Sequence, residues 1–201
     1  MLNLKKIAVT GGLASGKSTV CRLLSEKGAY QVNSDTLIHQ LLSDNPSCIK
    51  QVVALLGARI LVDERIDRSQ VAKIVFADKA KLAALEAIVH PLLFEAIDRL
   101  YQQAKTSQTA TYFVVEMPLV QEIGKTSAFD AIVAVLCSEA ISKKRWAAAG
   151  FPEKSYEERM QRHWPIQKKA AHAHFTITNN GTYEDLKRHT AALIGQLNRH
   201  L

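Results

Sequence analysis

Apolar residues form two kinds of run along this chain. Residues 5–10, Tyr112–Glu116 and Ala131–Leu136 are continuous apolar stretches rich in β-branched residues. Their lack of alternation predicts strands buried on both faces of a parallel sheet. Shorter strands are predicted at 29–32 and Phe175–Thr178, the second ended by Asn179-Asn180-Gly181. Elsewhere the apolar positions recur at helical spacing, over 18–27, 35–42, 48–56, 68–76, 79–89, 92–104, 138–149, 155–162 and 183–197. Gly28 and Gly57 are the expected stops of two helices. Ser34 or Asp35 is the expected N-cap of the 35–42 helix, and Pro91 is expected to split 79–89 from 92–104.

Strands alternating with helices predict an α/β fold, doubly wound around a mainly parallel five-stranded sheet. One domain is expected. Its core takes about 1–43, 106–138 and 170–201, with a helical acceptor-binding insertion over about 44–105 and a helical lid over about 139–169.

Gly11-Gly12-Leu13-Ala14-Ser15-Gly16-Lys17-Ser18 fits G-x-x-x-x-G-K-[ST] at every position. The expected strand before it and helix after it are the setting this motif needs. Glycines let the backbone N–H groups converge on a phosphate, and the helix N-terminus adds its positive end. Gly12, Leu13, Ala14, Ser15, Gly16, Lys17, Ser18 and Thr19 are therefore the candidate ATP-binding residues, with Lys17 on the β- and γ-phosphates and Ser18 on Mg²⁺. The absence of an NKxD-type guanine-reading motif and the helical insertion favour a small-molecule kinase of P-loop type.

Composition narrows the field further. The 201 residues carry a formal charge of +7, which suits an anionic partner. The chain has no apolar stretch near the roughly 20 residues of a membrane span, and residues 7–9 are too short for a signal-peptide core. Three widely spaced cysteines, Cys21, Cys48 and Cys137, form no disulfide or zinc pattern and read as reduced cytosolic thiols. A cytoplasmic location is expected, with no membrane or nucleic-acid partner.

Four more clusters bear on the acceptor. Asn33-Ser34-Asp35 follows the second expected strand, where ligands of such sheets bind. From position alone, Asp35 is either a helix N-cap or a carboxylate that takes a proton from an attacking hydroxyl. Asp67-Arg68 precedes a helix, His90-Pro91 ends one, and Glu116-Met117-Pro118-Leu119 with Glu122 ends the third long strand. The acidic residues of the last cluster are either a strand-end turn or a group near the metal.

Taken in order, these residues resemble the dephospho-CoA kinase family over nearly the whole chain. The resemblance rests on 11–19, Asp35, Ile66-Asp67-Arg68, Leu85-Glu86, His90-Pro91, Pro118-Leu119 with Glu122, Asp130 and Asn179-Asn180-Gly181. It implies ATP-dependent phosphorylation of the ribose 3′-hydroxyl of dephospho-CoA, the last step of coenzyme A synthesis. It further implies that Asp35 is the catalytic aspartate and that Arg68, His90 and Pro118 bind the acceptor. A monomer or small homo-oligomer is expected. Another nucleoside or nucleotide kinase, or a catalytically impaired nucleotide-binding protein, is the alternative.

The chain departs from the family pattern at Asn33, often Asp in the family, and in the lid. Ala148 stands at an expected arginine, His163 at a glutamine and His174 at an aspartate. The lid remains strongly basic, with Lys143, Lys144, Arg145, Lys154, Arg159, Arg162, Lys168 and Lys169 against Glu139, Glu153, Glu157 and Glu158. Arg145 lies three residues from Ala148 on an expected helix and is the candidate to supply the missing catalytic charge. His163, His172 and His174 read as structural or surface residues rather than metal ligands. Trp146 and Trp164 either stack on adenine or pack the lid.

Overall fold

The computed structural model describes residues 4–201. The backbone divides into two compact units, residues 1–32 with 103–201, and Asn33–Gln102.

The first unit is built on a five-stranded sheet in the order β2-β5-β1-β6-β7. Its strands are β1 (Lys5–Gly11), β2 (Tyr30–Asn33), β5 (Tyr112–Glu116), β6 (Ala131–Leu136) and β7 (Phe175–Thr178). The β1–β5, β1–β6 and β6–β7 ladders are all parallel. Ile7, Ala8 and Val9 of β1 and Ile132, Val133 and Ala134 of β6 are fully buried, as unbroken apolar runs require when helices cover both faces. Helices α1 (Lys17–Ser25) and α9 (Tyr183–His200) bury Val20, Leu24, Leu186, Leu193 and Leu197 in the same core as Ile7, Val9 and Val133. α9 starts cleanly because Thr182 and Asp185 form a reciprocal capping box. Helices α6 (Glu139–Ala148), α7 (Glu153–Met160) and α8 (Ile166–Ala171) lie between β6 and β7 in the chain.

The second unit contains α2 (Ser34–Asp44), α3 (Pro46–Leu56), a hairpin of β3 (Leu61–Val62) and β4 (Arg65–Ile66), α4 (Arg68–Ala77) and most of α5 (Lys79–Ser107). The second unit begins at Asn33, and α2 packs on α3 and β4.

Two local expectations are corrected. Neither Ser34 nor Asp35 caps α2: the cap is Asn33, whose Oδ1 accepts the Thr36 N–H at 3.0 Å. Pro91 does not end a helix; α5 runs through it for 29 residues. Proline has a helical φ, but it forfeits one N–H bond and its ring crowds the carbonyl four residues back, a loss of about 3 kcal/mol. Val89, Leu93, Ala96 and Ile97 fall on one buried stripe that spans it, so packing outweighs that loss.

Candidate active site

The loop after β1 is shaped to take an anion. Gly11 and Gly16 have φ of 144° and 99°. Only glycine adopts these angles without strain. Gly16 caps α1 without a side chain, so the first-turn N–H groups of α1 are not taken by a capping side chain. The loop serine Ser15 is fully buried, and its Oγ has no hydrogen-bond partner among the described residues. An open cleft of about 400 Å³ lies here, lined by residues 14–19, Arg145, Asn179, Thr182, Tyr183 and Leu186. Phosphate oxygens suit such a donor-rich concavity.

Lys17 Nζ donates to the Gly12 carbonyl at 2.7 Å, folded back along the loop. Ser18 Oγ donates to Glu116 Oε1 at 2.6 Å. Glu116 ends β5, is 5% exposed, and lies beside β1 through the Val9–Glu116 register. A hydroxyl and a carboxylate in contact are the hard oxygen donors that Mg²⁺ takes, so the residues present fit that ion. Of the acidic cluster read from the sequence, Glu116 is the residue that meets Ser18.

Glu122 has a different task. Lys169 Nζ is 2.7 Å from Glu122 Oε1, in a pair whose lysine is fully buried. The same ammonium donates to Thr10 Oγ1 and the Pro118 carbonyl at 3.1 and 2.8 Å. Gln121 Nε2 donates to the Lys169 carbonyl, and Glu122 Oε1 accepts the Trp164 N–H. Burial pushes the Lys169 pKa down, while Glu122 opposes that shift. This network fastens α8 and the turn before it to the ends of β1 and β5.

Arg145 lines the cleft wall. Its guanidinium donates to the Asn179 carbonyl at 3.0 Å and to Asn179 Oδ1 at 3.3 Å. Asn179 Nδ2 in turn donates to the Ser15 carbonyl at 2.8 Å. Asn179 therefore couples Arg145 to the phosphate loop, a role that a strand-ending Asn-Asn-Gly did not reveal.

The three histidines at 163, 172 and 174 go to three places. His163 is half-buried, its Nδ1 enclosed and unpartnered among the described residues, and its pKa is lowered to about 3. Burial is the first cause, followed by Lys169, Lys17 and Arg162. His172 packs edge-on against Trp164. His174 Nδ1 accepts the Ile132 N–H at 3.0 Å, tying β6 to the start of β7. Trp146 is a packing residue: it stacks on Phe151 and donates from Nε1 to the Pro152 carbonyl. Lys143 meets Glu139, Glu153 and Glu157, so part of the charge of α6 and α7 is neutralised internally.

In the second unit, Asp35 stands exposed in the first turn of α2, its capping role taken by Asn33. Arg68 opens α4, capped by Asp67 Oδ1 on the Ser69 N–H at 2.8 Å. His39, one turn after Asp35, has its pKa lowered by burial and by Arg68, with Asp35 opposing. Asp35, His39 and Arg68 thus form one electrostatic cluster. The i, i+4 spacing from Asp35 was the available signal for His39. His90 lies within α5, half-buried.

A sequence model of the dephospho-CoA kinase family matches residues 5–185. A dephospho-CoA kinase from Protochlamydia amoebophila is 38% identical over 199 residues, covering 98% of each chain. The crystal structure of TT1252 from Thermus thermophilus superposes with a TM-score of 0.80 at 28% identity, over 96% of this chain and 98% of that one. A dephospho-CoA kinase structure from Campylobacter jejuni shares the fold, with a TM-score of 0.71 at 24% identity over 96% of both chains. The chain belongs to the dephospho-CoA kinase family.

Proposed function

We propose that this kinase of coenzyme A synthesis moves the terminal phosphoryl group of Mg-ATP to the ribose 3′-hydroxyl of dephospho-CoA. The observation that carries the reading is the bond between Ser18 and Glu116, set at the mouth of a glycine-rich loop in a chain whose family match spans 5–185. The 3′-oxygen attacks the γ-phosphorus, the bond to the β–γ bridging oxygen breaks, and ADP leaves. The proton of the 3′-hydroxyl passes to a carboxylate. Asp35 is the proposed acceptor, exposed and not used as a helix cap.

Residues 12–19 would hold the triphosphate through backbone N–H groups, with Lys17 swinging from the Gly12 carbonyl to the phosphates. Mg²⁺ held by Ser18 would neutralise charge on the β- and γ-phosphates. Arg145, fixed by Asn179 on the cleft wall, would meet charge that develops on the transferring group. Arg68, His90 and the strand-end turn at Pro118 are the proposed acceptor-side residues. No helix is long and apolar enough to cross a membrane among the described residues. The cytoplasm as compartment is proposed from three unpaired thiols, at Cys21, Cys48 and Cys137. A panel of acceptors tests the reading: dephospho-CoA should support ADP release, whereas adenosine, shikimate and gluconate should not. Equal rates with a second acceptor would refute it.

A further inference from the structure

The phosphate loop holds a residue in a strained conformation. Ala14 has φ of 47°. A residue with a Cβ enters that region at a cost, and stays there only where its surroundings impose it. Two buried side chains from distant parts of the chain grip the loop carbonyls on either side of this position.

The first is Ser142 of α6, whose Oγ donates to the Leu13 carbonyl at 2.5 Å. Its hydroxyl is itself held: the buried Tyr156 of α7 donates its own hydroxyl to Ser142 Oγ at 3.0 Å. The second is Asn179 after β7, whose Nδ2 donates to the Ser15 carbonyl at 2.8 Å. Its amide is kept from turning, because Oδ1 accepts from Arg145. Asn179 comes so close that a Cβ on Gly16 would overlap its amide.

The peptide bonds here are trans. A trans peptide unit is planar, so its C=O and N–H point in opposite directions. Ser142 draws the Leu13 carbonyl towards α6 and so turns the Ala14 N–H away from α6. Asn179 sets the Gly16 N–H in the same way through the Ser15 carbonyl. Ala14 and Gly16 both line the cleft, and neither N–H donates to another group among the described residues. Two donors are thus directed before any ligand arrives.

We propose that Ser142 is a positioning residue for ATP: it fixes the Leu13–Ala14 peptide so that the Ala14 N–H is preset for a phosphate oxygen. This rests on reading residues 11–18 as the triphosphate site. Without that bond the strained peptide can rotate, and binding has to restore it. The loss of one such hydrogen bond corresponds to about a 3- to 10-fold loss of apparent affinity.

Two partial ligands, used as competitors of ATP, separate the loop from the rest of the cleft. Tripolyphosphate carries the phosphates without the nucleoside, and adenosine carries the nucleoside without phosphates. In Ser142→Ala the KM for ATP and the Ki of tripolyphosphate should rise together by about 3- to 10-fold. The Ki of adenosine and the KM for dephospho-CoA should hold within about twofold. Tyr156→Phe removes a hydroxyl from the same buried cluster and leaves the bond to Leu13, so its KM for ATP should hold within about twofold as well.

Unchanged values for ATP and tripolyphosphate in Ser142→Ala would overturn the proposal. So would an equal loss for adenosine, or an equal rise of the KM for ATP in Tyr156→Phe, the marks of general loosening. The unaltered protein gives an independent reading by ¹⁵N relaxation. Without ligand, the Ala14 amide should be as rigid as the amides of β1; an amide that becomes rigid only with tripolyphosphate would overturn the proposal. Lys17→Ala tests the underlying site. Weakened tripolyphosphate there, with no change in Ser142→Ala, would overturn the Ser142 assignment alone. An unchanged tripolyphosphate Ki in Lys17→Ala would overturn the triphosphate site itself.

Discussion

Replacing Lys169 by Met tests whether α8 is fastened by a buried charge. The ammonium is fully buried and sits 2.7 Å from Glu122, with Thr10 Oγ1 and the Pro118 carbonyl as further acceptors. Methionine has similar length and no charge. It leaves the Glu122 carboxylate, itself only 10% exposed, without its Lys169 partner. Breaking a buried pair from one side costs about 3–5 kcal/mol. For a chain of this length each kcal/mol moves the unfolding midpoint by about 2–4 °C, so a fall of roughly 6–20 °C is expected. Calorimetry and urea titration at neutral pH measure it. The double variant Lys169→Met/Glu122→Leu removes both charges together. It should recover part of the loss, since paired replacement by apolar residues is often near neutral, although the Trp164 N–H loses its acceptor and about 1–3 kcal/mol remains. A single-variant loss below about 1 kcal/mol, the range of solvated pairs, would refute the reasoning. A double-variant loss equal to the sum of the two singles would refute it as well.

Three other outcomes are expected. Glu116→Gln should weaken the hold on Ser18 and raise the Mg²⁺ concentration for half-maximal rate by about 10- to 100-fold, read from Mg²⁺ titrations of turnover. Asp35→Asn should lower kcat by about 10²- to 10⁴-fold with little change in the KM for ATP, read from steady-state kinetics. His163 has a folded-state pKa of about 3 against an ordinary 6.5, so the unfolded chain binds its proton more readily. The stability from keeping this ring neutral is full above 6.5 and declines as pH falls towards 3. The slope is at most about 1.4 kcal/mol per pH unit, and urea titrations of His163→Leu across that range should lack it.

The sheet and the phosphate loop were legible in the sequence because both are local patterns. Tyr112–Glu116, Ala131–Leu136 and Phe175–Thr178 are continuous apolar or β-branched runs, and they are strands with those bounds. The α2 cap was misread because Asn33, Ser34 and Asp35 are all competent caps; β2 continues to Asn33, and this decides among them. Pro91 was misread because the helix is held by a buried stripe on both sides of it, which outweighs one missing backbone bond. The β3–β4 hairpin went unseen because each strand has two residues, too few for a periodic signal. The hidden part of the site consists of long-range pairs. Ser18 with Glu116, Lys169 with Glu122 and Asn179 with the Ser15 carbonyl join residues brought together only by the parallel crossovers.

The fate of one phosphoryl group decides whether this protein phosphorylates dephospho-CoA. The purified protein is incubated with Mg²⁺, γ-¹⁸O-labelled ATP and dephospho-CoA, and the products are analysed by mass spectrometry and ³¹P NMR. Coenzyme A bearing the labelled phosphoryl on the ribose 3′-oxygen is expected, with one ADP formed per molecule. Labelled inorganic phosphate in its place, or ADP formation indifferent to dephospho-CoA, would contradict it.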